Sequence, residues 1–323
     1  MMSRLSALGR LWVDVTSDRE PPCVLAAFRI AIGVVLLGSL ASAAASGVVE
    51  TLWVDASDGG ALRLEPSPWL VALLGGPTRR VIWSLFAIAG AAGTLVTLGL
   101  GGRLPYLLAA QAYGALTHTN TDTVGAYDSM LTNALYLLFF SAASATYSLS
   151  CRLSNGAWTS HENEPAWPRY LLLFQLLLIY AATGLQKMSL PWTPLGGYSA
   201  LYWVLQDPTW RRFDMAWTAS VYPLLQVATA TTWHWELAAP ILLLYFYAKR
   251  TAPVGGRWRA LLTRCDLRKP YALIGIGLHL GILVLLNVGP FSIVSLAYYL
   301  LLLRPDELTA LLSRTRSAQP FAH

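Results

Sequence analysis

Five ionisable residues could do chemistry in this sequence, because each lies within or at the end of a long apolar stretch. They are Arg29, Asp128, Lys187, Glu236 and His279. A charged side chain inside a membrane costs at least a few kcal/mol, so it usually faces a partner or a cavity. These five residues are therefore the first candidates for a functional site.

Four of the candidates have a structural interpretation that needs no chemistry. Arg29 is interpreted chiefly as a structural residue that pairs with an acid or with backbone carbonyls in a helix bundle. Asp128 lies where it would cap a helix. Glu236 lies near a predicted helix start, where the helix dipole stabilises a carboxylate. For His279, two interpretations are open: a hydrogen-bonded residue of the protein interior, or a residue of a functional site.

Lys187 is the hardest of the five to explain structurally. Its structural interpretation is a side chain that snorkels to the membrane interface. However, Lys187 follows Gly184 and Gln186 at a break in the apolar pattern, with Thr183 one turn back on the same helix face. A lysine acts as a base only when its amine is neutral, which burial favours. Because Gln186 and Thr183 carry no charge, we expect solvent access alone to decide whether this amine is protonated.

The elements that position these residues are predicted to be transmembrane helices. Hydrophobic residues make up 55% of the 323 residues and charged residues only 12%, which is far from the balance of a soluble protein. Apolar stretches recur that approach or reach the roughly 20 residues that cross a bilayer as a helix. The sequence therefore predicts an all-α polytopic membrane protein with about eight transmembrane helices. The predicted spans run approximately over residues 22–47, 81–99, 104–117, 130–145, 170–188, 235–247, 271–288 and 291–303. We expect the sixth of these spans to extend backward from residue 235.

The stretch between the fifth and sixth predicted spans, residues 189–234, breaks the apolar pattern. Pro191, Pro194, Pro208 and the Gly196-Gly197 pair exclude one continuous span. The stretch is also rich in aromatic residues, which are enriched at membrane interfaces. These are Trp192, Tyr198, Tyr202, Trp203, Trp210 and Trp217. The pattern predicts interfacial or re-entrant helices here.

The distribution of basic residues predicts the orientation in the membrane. Between the sixth and seventh predicted spans the cluster contains Lys249, Arg250, Arg257, Arg259, Arg264, Arg268 and Lys269. Short cytoplasmic loops carry such an excess. With eight spans, both termini are then cytoplasmic, in agreement with Arg4, Arg10 and Arg19 at one end and Arg314 and Arg316 at the other. We expect a multi-pass protein of the cell membrane with a cytoplasmic segment over 1–21, a transmembrane domain over 22–304 and a cytoplasmic tail over 305–323.

This topology also predicts where a site would be built and which partners to expect. It places residues 118–128, Lys187 and the aromatic-rich stretch together on the outer side. The net charge of +6 is explained by the topology and by anionic membrane lipids, so no nucleic-acid partner is expected. Cysteines and histidines do not occur at metal-ligand spacing, so no metal site is expected. Cys23, Cys151 and Cys265 fall at cytoplasmic span ends, which predicts free thiols.

Several motifs follow the order and spacing of a known family. The first span contains Phe28-Arg29, and a polar turn over 125–131 leads through an apolar span to Tyr147-Ser148-Leu149. The most specific stretch contains Tyr180, Gly184-Leu185-Gln186-Lys187, Trp192 and Gly197-Tyr198-Ser199-Ala200-Leu201. The Glu236 helix and the segment from His279 to Phe291-Ser292 complete the pattern. Over residues 26–303 the chain thus resembles the HTTM family, the membrane domain that bacterial proteins share with vitamin K-dependent γ-glutamyl carboxylase.

The resemblance implies a site and a cofactor. In the carboxylase, a lysine in the stretch matching Gly184 to Lys187 acts as the base on reduced vitamin K, whose oxygenation drives proton abstraction from glutamate and addition of carbon dioxide. The implied catalytic residues are Lys187, Asp128 and His279, and the implied cofactor-binding residues are Trp192, Tyr198, Glu236 and Arg29. The implied cofactor is reduced vitamin K of the menaquinol type, with carbon dioxide and oxygen as co-substrates and no metal.

The chain also departs from the animal carboxylase. Gln186 replaces the preceding family lysine, and Asp128 falls where the animal enzyme has a histidine. We expect no counterpart of the animal enzyme's large lumenal domain after Leu303, as in bacterial-type members.

Two functional hypotheses follow. The first is a membrane enzyme, carboxylase- or oxygenase-like and so of the lyase class, that modifies a peptide or lipid at the outer face. Because one bacterial family member is required for maturation of a secreted toxin peptide, peptide modification with a small secreted peptide as substrate is a family theme. The alternative is a noncatalytic membrane partner or immunity-type protein that keeps the scaffold.

Overall fold

A computed structural model of the protein describes residues 9, 12–62, 65–160 and 162–317. Arg4 and Arg10, which entered the topology prediction, lie outside the described residues, as does the side chain of Arg316. The described part of the chain is all-α apart from two short strands, β1 (Arg19–Glu20) and β2 (Glu164–Pro165), which form an antiparallel pair. The fold class predicted from the sequence is therefore confirmed.

After β1, fifteen α-helices follow one another along the described part of the chain. They are α1 (Cys23–Ala45), α2 (Val49–Trp53), α3 (Trp69–Leu73), α4 (Arg79–Leu98), α5 (Leu104–Thr117), α6 (Ala126–Phe139), α7 (Leu149–Asn155), α8 (Trp167–Gln186), α9 (Ala200–Gln206), α10 (Tyr222–Leu237), α11 (Ala239–Arg250), α12 (Arg257–Thr263), α13 (Arg268–Leu285), α14 (Phe291–Tyr299) and α15 (Pro305–Ser317). They form two compact units, one of Met1–Leu172 with Leu303–His323 and one of Leu173–Leu302.

The first unit is built around α1, α4, α5 and α6. Helix α4 has clear signals at both ends: the Thr78 hydroxyl accepts a hydrogen bond from the backbone of Val81 at 3.3 Å, and Gly99 ends the helix with a φ of +68°. Threonine is favoured as the side-chain cap at a helix start, and glycine is favoured at a helix end because it readily adopts the left-handed conformation. Helix α1 packs closely on α4, because a Cβ added at Gly33 would lie 2.2 Å from the Thr97 hydroxyl.

The second unit contains α9 to α14 and the part of α8 from Leu173 onward. Its interior is aromatic: the Tyr180 ring lies 4.5 Å from Trp235, which stacks on Tyr271 at 4.7 Å. Gly275 lets the α13 backbone approach this cluster, since a Cβ there would lie 2.1 Å from the Tyr299 hydroxyl. The cluster holds together the helices that carry Lys187, Glu236 and His279.

Among the described residues, four helices are long and apolar enough to cross a membrane, namely α1, α4, α8 and α13. They correspond to the first, second, fifth and seventh predicted spans. The other four predicted spans fall on shorter helices; α5 and α6 have 14 residues each and α11 has 12. The membrane character is confirmed, whereas the count of eight spans stays a prediction.

Two predicted spans differ in extent from the helices found. The fourth was predicted to reach residue 145, but α6 ends at Phe139 because the Ser141 hydroxyl bonds the Leu138 carbonyl at 2.8 Å and offers the backbone an alternative to the helix. The sixth was predicted over about residues 235–247 with an extension backward, and the structure divides this stretch between two helices. The chain is helical from Tyr222 and breaks after Leu237, just before Pro240, which cannot donate a backbone hydrogen bond.

The stretch between α8 and α10 contains no long helix. It forms α9 and three 3-10 turns at Leu190–Trp192, Pro194–Gly196 and Ala216–Val221. The predicted absence of one continuous span in this described stretch is confirmed, and its interfacial or re-entrant position stays a prediction.

Candidate functional site

Lys187 lies one residue beyond the end of α8. Its backbone N–H still donates to the Thr183 carbonyl at 3.1 Å, which fixes the position of the side chain. The ammonium group donates a hydrogen bond to Oε1 of Glu236 and lies 4.7 Å from the centre of the Trp192 ring. Lys187 therefore has a carboxylate on one side and an aromatic face on another.

Glu236 is the more buried member of this pair, with 8% of its side chain exposed against 26% for Lys187. Its second oxygen, Oε2, is buried and accepts no hydrogen bond from any described residue. The nearby Thr183 hydroxyl donates instead to the Tyr180 carbonyl at 3.0 Å. One carboxylate oxygen thus remains available to a hydrogen-bond donor.

Two sequence-based expectations about this pair were wrong. Glu236 does not lie near a helix start but in the last turn of α10, where the helix dipole does not favour a carboxylate. Solvent access alone was expected to decide whether the Lys187 amine is protonated, yet the Glu236 carboxylate contacts it directly. Both errors have the same cause: α10 begins at Tyr222 and ends at Leu237, so its C-terminal end, which carries Glu236, lies at Lys187.

Close packing of α8 and α10 creates the pair. A Cβ added at Gly184 would lie 3.0 Å from the Cβ of Glu236, and the Trp233 indole donates to the Gly184 carbonyl at 3.1 Å. A larger residue at position 184 would push the two helices apart. Gly184 is therefore the residue that allows Lys187 and Glu236 to meet.

Trp192 and Tyr198, the predicted aromatic part of the site, lie in the turns after α8. Trp192 contacts Lys187 as described, in the 3-10 turn Leu190–Trp192. Tyr198 packs on α10, with its ring 6.4 Å from Trp233 and 6.0 Å from His234. Both residues thus adjoin the α8–α10 contact, and Trp192 is the one in contact with the ammonium group.

His279 lies in the same unit, in a second polar cluster. Its Nε2 is 2.8 Å from the Tyr180 hydroxyl, to which Tyr299 donates at 3.0 Å. His279 is 3% exposed, and its Nδ1 has no hydrogen-bond partner among the described residues. Lys187 follows Tyr180 by seven residues, directly after the end of α8, and its backbone continues the helical bonding. The two residues therefore lie on one face, about 10 Å apart along the helix axis.

Asp128 belongs to the first unit and caps α6. Its Oδ2 accepts from the backbone N–H of Gly125 at 2.8 Å, and its Oδ1 accepts from the Tyr113 hydroxyl at 2.5 Å. Both oxygens are used, which fits the structural interpretation made from the sequence.

Arg29, also in the first unit, is fully buried and bonds backbone carbonyls. Nη1 donates to Val96 at 2.7 Å and to Thr97 at 2.9 Å, and Nη2 donates to Tyr147 at 2.6 Å. The Val96 and Thr97 carbonyls lie in the last turn of α4, where a helix leaves its carbonyls without intrahelical donors, and the Tyr147 carbonyl lies in the loop before α7. The bonds fit the structural interpretation of Arg29.

The described part of the chain offers few other groups that could form a metal site or a reactive thiol site. No three His, Cys, Asp or Glu residues there lie close enough together to hold a metal ion. Cys23 and Cys151 are buried and Cys265 is exposed, all as free thiols. The arrangement that can do acid–base chemistry is the one formed by Lys187, Glu236 and Trp192.

Comparison with known proteins gives one match. The sequence model of the HTTM domain matches residues 18–255, which include Lys187, Trp192 and Glu236 but not His279. No curated protein and no solved structure matches the chain.

Proposed function

Because the chain belongs to the HTTM family, the vitamin K-dependent carboxylase-like family, we propose that it is a membrane enzyme that uses Lys187 as a base on a quinol-type cofactor. The contact between Lys187 and Glu236, with Trp192 across the ammonium group, is the observation that carries the proposal. The reaction would modify a peptide or lipid at the outer face of the cell membrane. Both termini would then be cytoplasmic, as the basic residues indicate.

The residues at the site fit a quinol. A quinol hydroxyl is a hydrogen-bond donor, and Glu236 Oε2 is a buried acceptor without a donor in the described part of the chain. The Trp192 ring offers a flat aromatic surface beside the same ammonium group. When bound, reduced vitamin K would supply an oxidisable ring whose reaction with oxygen provides the strong base of the family's chemistry.

The chain's own residues would manage the proton. Burial disfavours a charged pair, so moving a proton from the ammonium group to Glu236 Oε1 removes two charges from a mostly buried place. The neutral amine of Lys187 can then take a proton from a hydroxyl held at the site. Glu236 would act as the group that receives the proton and Trp192 as the group that excludes water.

The other predicted site residues enter the proposal unequally. The bonds of Asp128 and Arg29 account for both residues without a part in the reaction, so their predicted catalytic and cofactor-binding roles stay predictions. His279 stays a predicted catalytic residue, within a cluster that includes Tyr180 of the same α8 face. A small secreted peptide, carbon dioxide and oxygen remain the proposed co-substrates.

Lys187→Arg tests the proposal. Arginine keeps the charge and the contact with Glu236 but cannot give up its proton near neutral pH. We expect purified wild type, given menaquinol, oxygen and bicarbonate, to consume menaquinol, and Lys187→Arg to do so at least about 100-fold more slowly. Liquid chromatography with mass spectrometry measures the quinol and its oxygenated product.

The control is Arg80→Lys, which changes an exposed side chain of α4 and should leave turnover unchanged. Both variants should elute as single peaks in size-exclusion chromatography. A Lys187→Arg protein as active as wild type would reject Lys187 as the base.

The alternative is a noncatalytic membrane partner or immunity-type protein, and one observation favours it. The ion pair by itself joins α8 to α10, so it gives Lys187 a purely structural role. In that case wild type would consume no menaquinol and retain no quinone on purification. The exchanged pair Lys187→Glu with Glu236→Lys would then support every function that the wild type has.

A further inference from the structure

The segment between α11 and α13, residues 249–269, is called the basic segment below. Lys249, Arg257, Arg264 and Lys269 are exposed there. Within the described part of the chain, none of these four side chains pairs with a carboxylate. The basic segment therefore presents a surplus of positive charge to an outside partner.

The single acidic residue of the basic segment does not offset this charge. Asp266 is 2.6 Å from the Arg268 guanidinium and accepts from the Tyr245 hydroxyl at 3.1 Å. Burial acts to raise the pKa of Asp266, but the hydrogen bonds and charge of Arg268 outweigh it and hold that pKa below the usual value. Asp266 is thus ionised and matched by Arg268, which leaves Lys249, Arg257, Arg264 and Lys269 as excess positive charge.

The basic segment also exposes apolar side chains. Leu261 is 72% exposed, and Val254 and Trp258 are exposed beside it. Trp258 stacks on Tyr247 at 6.1 Å between ring centres, and the Arg259 guanidinium lies 4.4 Å from the Trp258 ring. Cations beside apolar and tryptophan side chains are typical of helices that lie in the headgroup layer of a membrane.

An apolar cleft reaches the basic segment. It has a volume of about 370 Å³ and is lined by residues of α10, α11 and α13, with Leu267 at the basic segment. Ile241 and Leu242 form the α11 wall, and Lys249 lies eight and seven residues further on, so it follows them on the same face. Ile274 lines the cleft from α13. The cleft thus runs from apolar helix surface toward exposed cations.

We propose that the basic segment and this cleft bind one acidic phospholipid, with its phosphate at the exposed cations and an acyl chain in the cleft. Charge complementarity favours an acidic over a zwitterionic headgroup. An acidic protein partner would match the cations but would leave the apolar cleft without an occupant. The cations of this site lie more than 60 residues after Lys187 in sequence, whereas the α10 wall of the cleft includes Trp235, the neighbour of Glu236. The proposed lipid binding does not require the proposed enzyme activity.

Native mass spectrometry of the purified protein tests the headgroup. The protein in detergent is titrated separately with phosphatidylglycerol and with phosphatidylcholine. We expect phosphatidylglycerol to bind at least about tenfold more tightly, since each cation near a lipid surface contributes about fivefold. Arg264→Glu with Lys269→Glu should abolish this preference and leave phosphatidylcholine binding as it was.

The matched control is Arg80→Glu, which reverses an exposed arginine of α4 and should keep the preference. If the double variant keeps the preference, or if Arg80→Glu loses it equally, the proposed headgroup site is wrong.

A second pair of variants tests the acyl chain. Ile274→Trp fills the cleft, and we expect it to weaken binding of both lipids several-fold while the ratio between them stays the same. Leu273→Trp changes the neighbouring, 73% exposed residue outside the cleft lining and should leave binding unchanged. Equal lipid binding by Ile274→Trp and wild type would show that the acyl chain does not occupy the cleft. Single elution peaks and equal melting temperatures would show that both variants fold.

Discussion

At the scale of single residues, the partner of Lys187 changes how it can act as a base. A lone lysine in an apolar place needs only burial to favour the neutral amine, whereas a carboxylate neighbour stabilises the ammonium form. Glu236 is itself mostly buried, so its ionised form depends on Lys187 in turn. In the proposed reaction, the two residues therefore act together as one acid–base pair, and the proposed base is that pair rather than the lysine alone.

Arg29 gives the prediction that belongs to this scale. Its guanidinium donates to three backbone carbonyls, and leucine would remove these charge-assisted hydrogen bonds, which contribute about 1.5 to 3 kcal/mol each before relaxation. We expect Arg29→Leu to lower the melting temperature in detergent by several degrees and to reduce the yield of folded protein. Fluorescence-detected size-exclusion chromatography measures both. Arg80→Leu, at an exposed position, should behave as wild type.

If Arg29→Leu instead shows a normal yield and melting temperature but no turnover, Arg29 takes part in the reaction and the structural interpretation is wrong.

The sequence identified the candidate residues better than their partners. Charges stand out in apolar stretches, so the sequence alone suggests all five as candidates. Lys187 and Glu236 are 49 residues apart, and no spacing rule connects a loop lysine with a distant helix end. The partners of Arg29 are backbone carbonyls, which every residue has and which no pattern marks.

At the scale of elements, the close approach of α1 and α4 rests on one glycine. A Cβ at Gly33 would lie 2.2 Å from the Thr97 hydroxyl and 3.0 Å from the Thr97 backbone, so the helices would have to separate. We expect Gly33→Ala to lower the free energy of unfolding by about 1 to 3 kcal/mol. Gly38→Ala in the same helix meets nothing within 4 Å and should be neutral or slightly stabilising.

Melting temperatures of the two purified variants in one detergent decide the matter. Equal effects of the two substitutions would mean that helix propensity, and not the contact between α1 and α4, governs both.

Element ends were predictable where a local signal exists. Thr78 and Gly99 mark the start and end of α4, and the prediction over 81–99 came within two residues at each end. The end of α6 and the start of α10 depend on side-chain bonds and packing that the apolar pattern does not carry. The α10 error mattered most, because it placed Glu236 at the wrong end of a helix.

At the scale of the whole molecule, composition and family membership establish the class more firmly than the number of spans. The apolar content predicts a helical membrane protein, and the HTTM match over residues 18–255 agrees. Counting spans requires helices near 20 residues, roughly the bilayer thickness. Helices of 12 to 16 residues, such as α11 and α10, leave that count open.

The orientation in the membrane can be tested with a cysteine that the protein already has. Cys265 is exposed within the basic segment, whereas Cys23 and Cys151 are buried and should react little. Because short loops rich in Lys and Arg stay in the cytoplasm, we expect a membrane-impermeant maleimide to label Cys265 only after the cells are permeabilised. Asp122→Cys, combined with Cys265→Ser, supplies the opposite case, since the exposed position 122 should react in intact cells. Labelling of Cys265 in intact cells would show that the orientation is the reverse of the predicted one. Lys187 and Glu236 would then lie away from a substrate at the outer face.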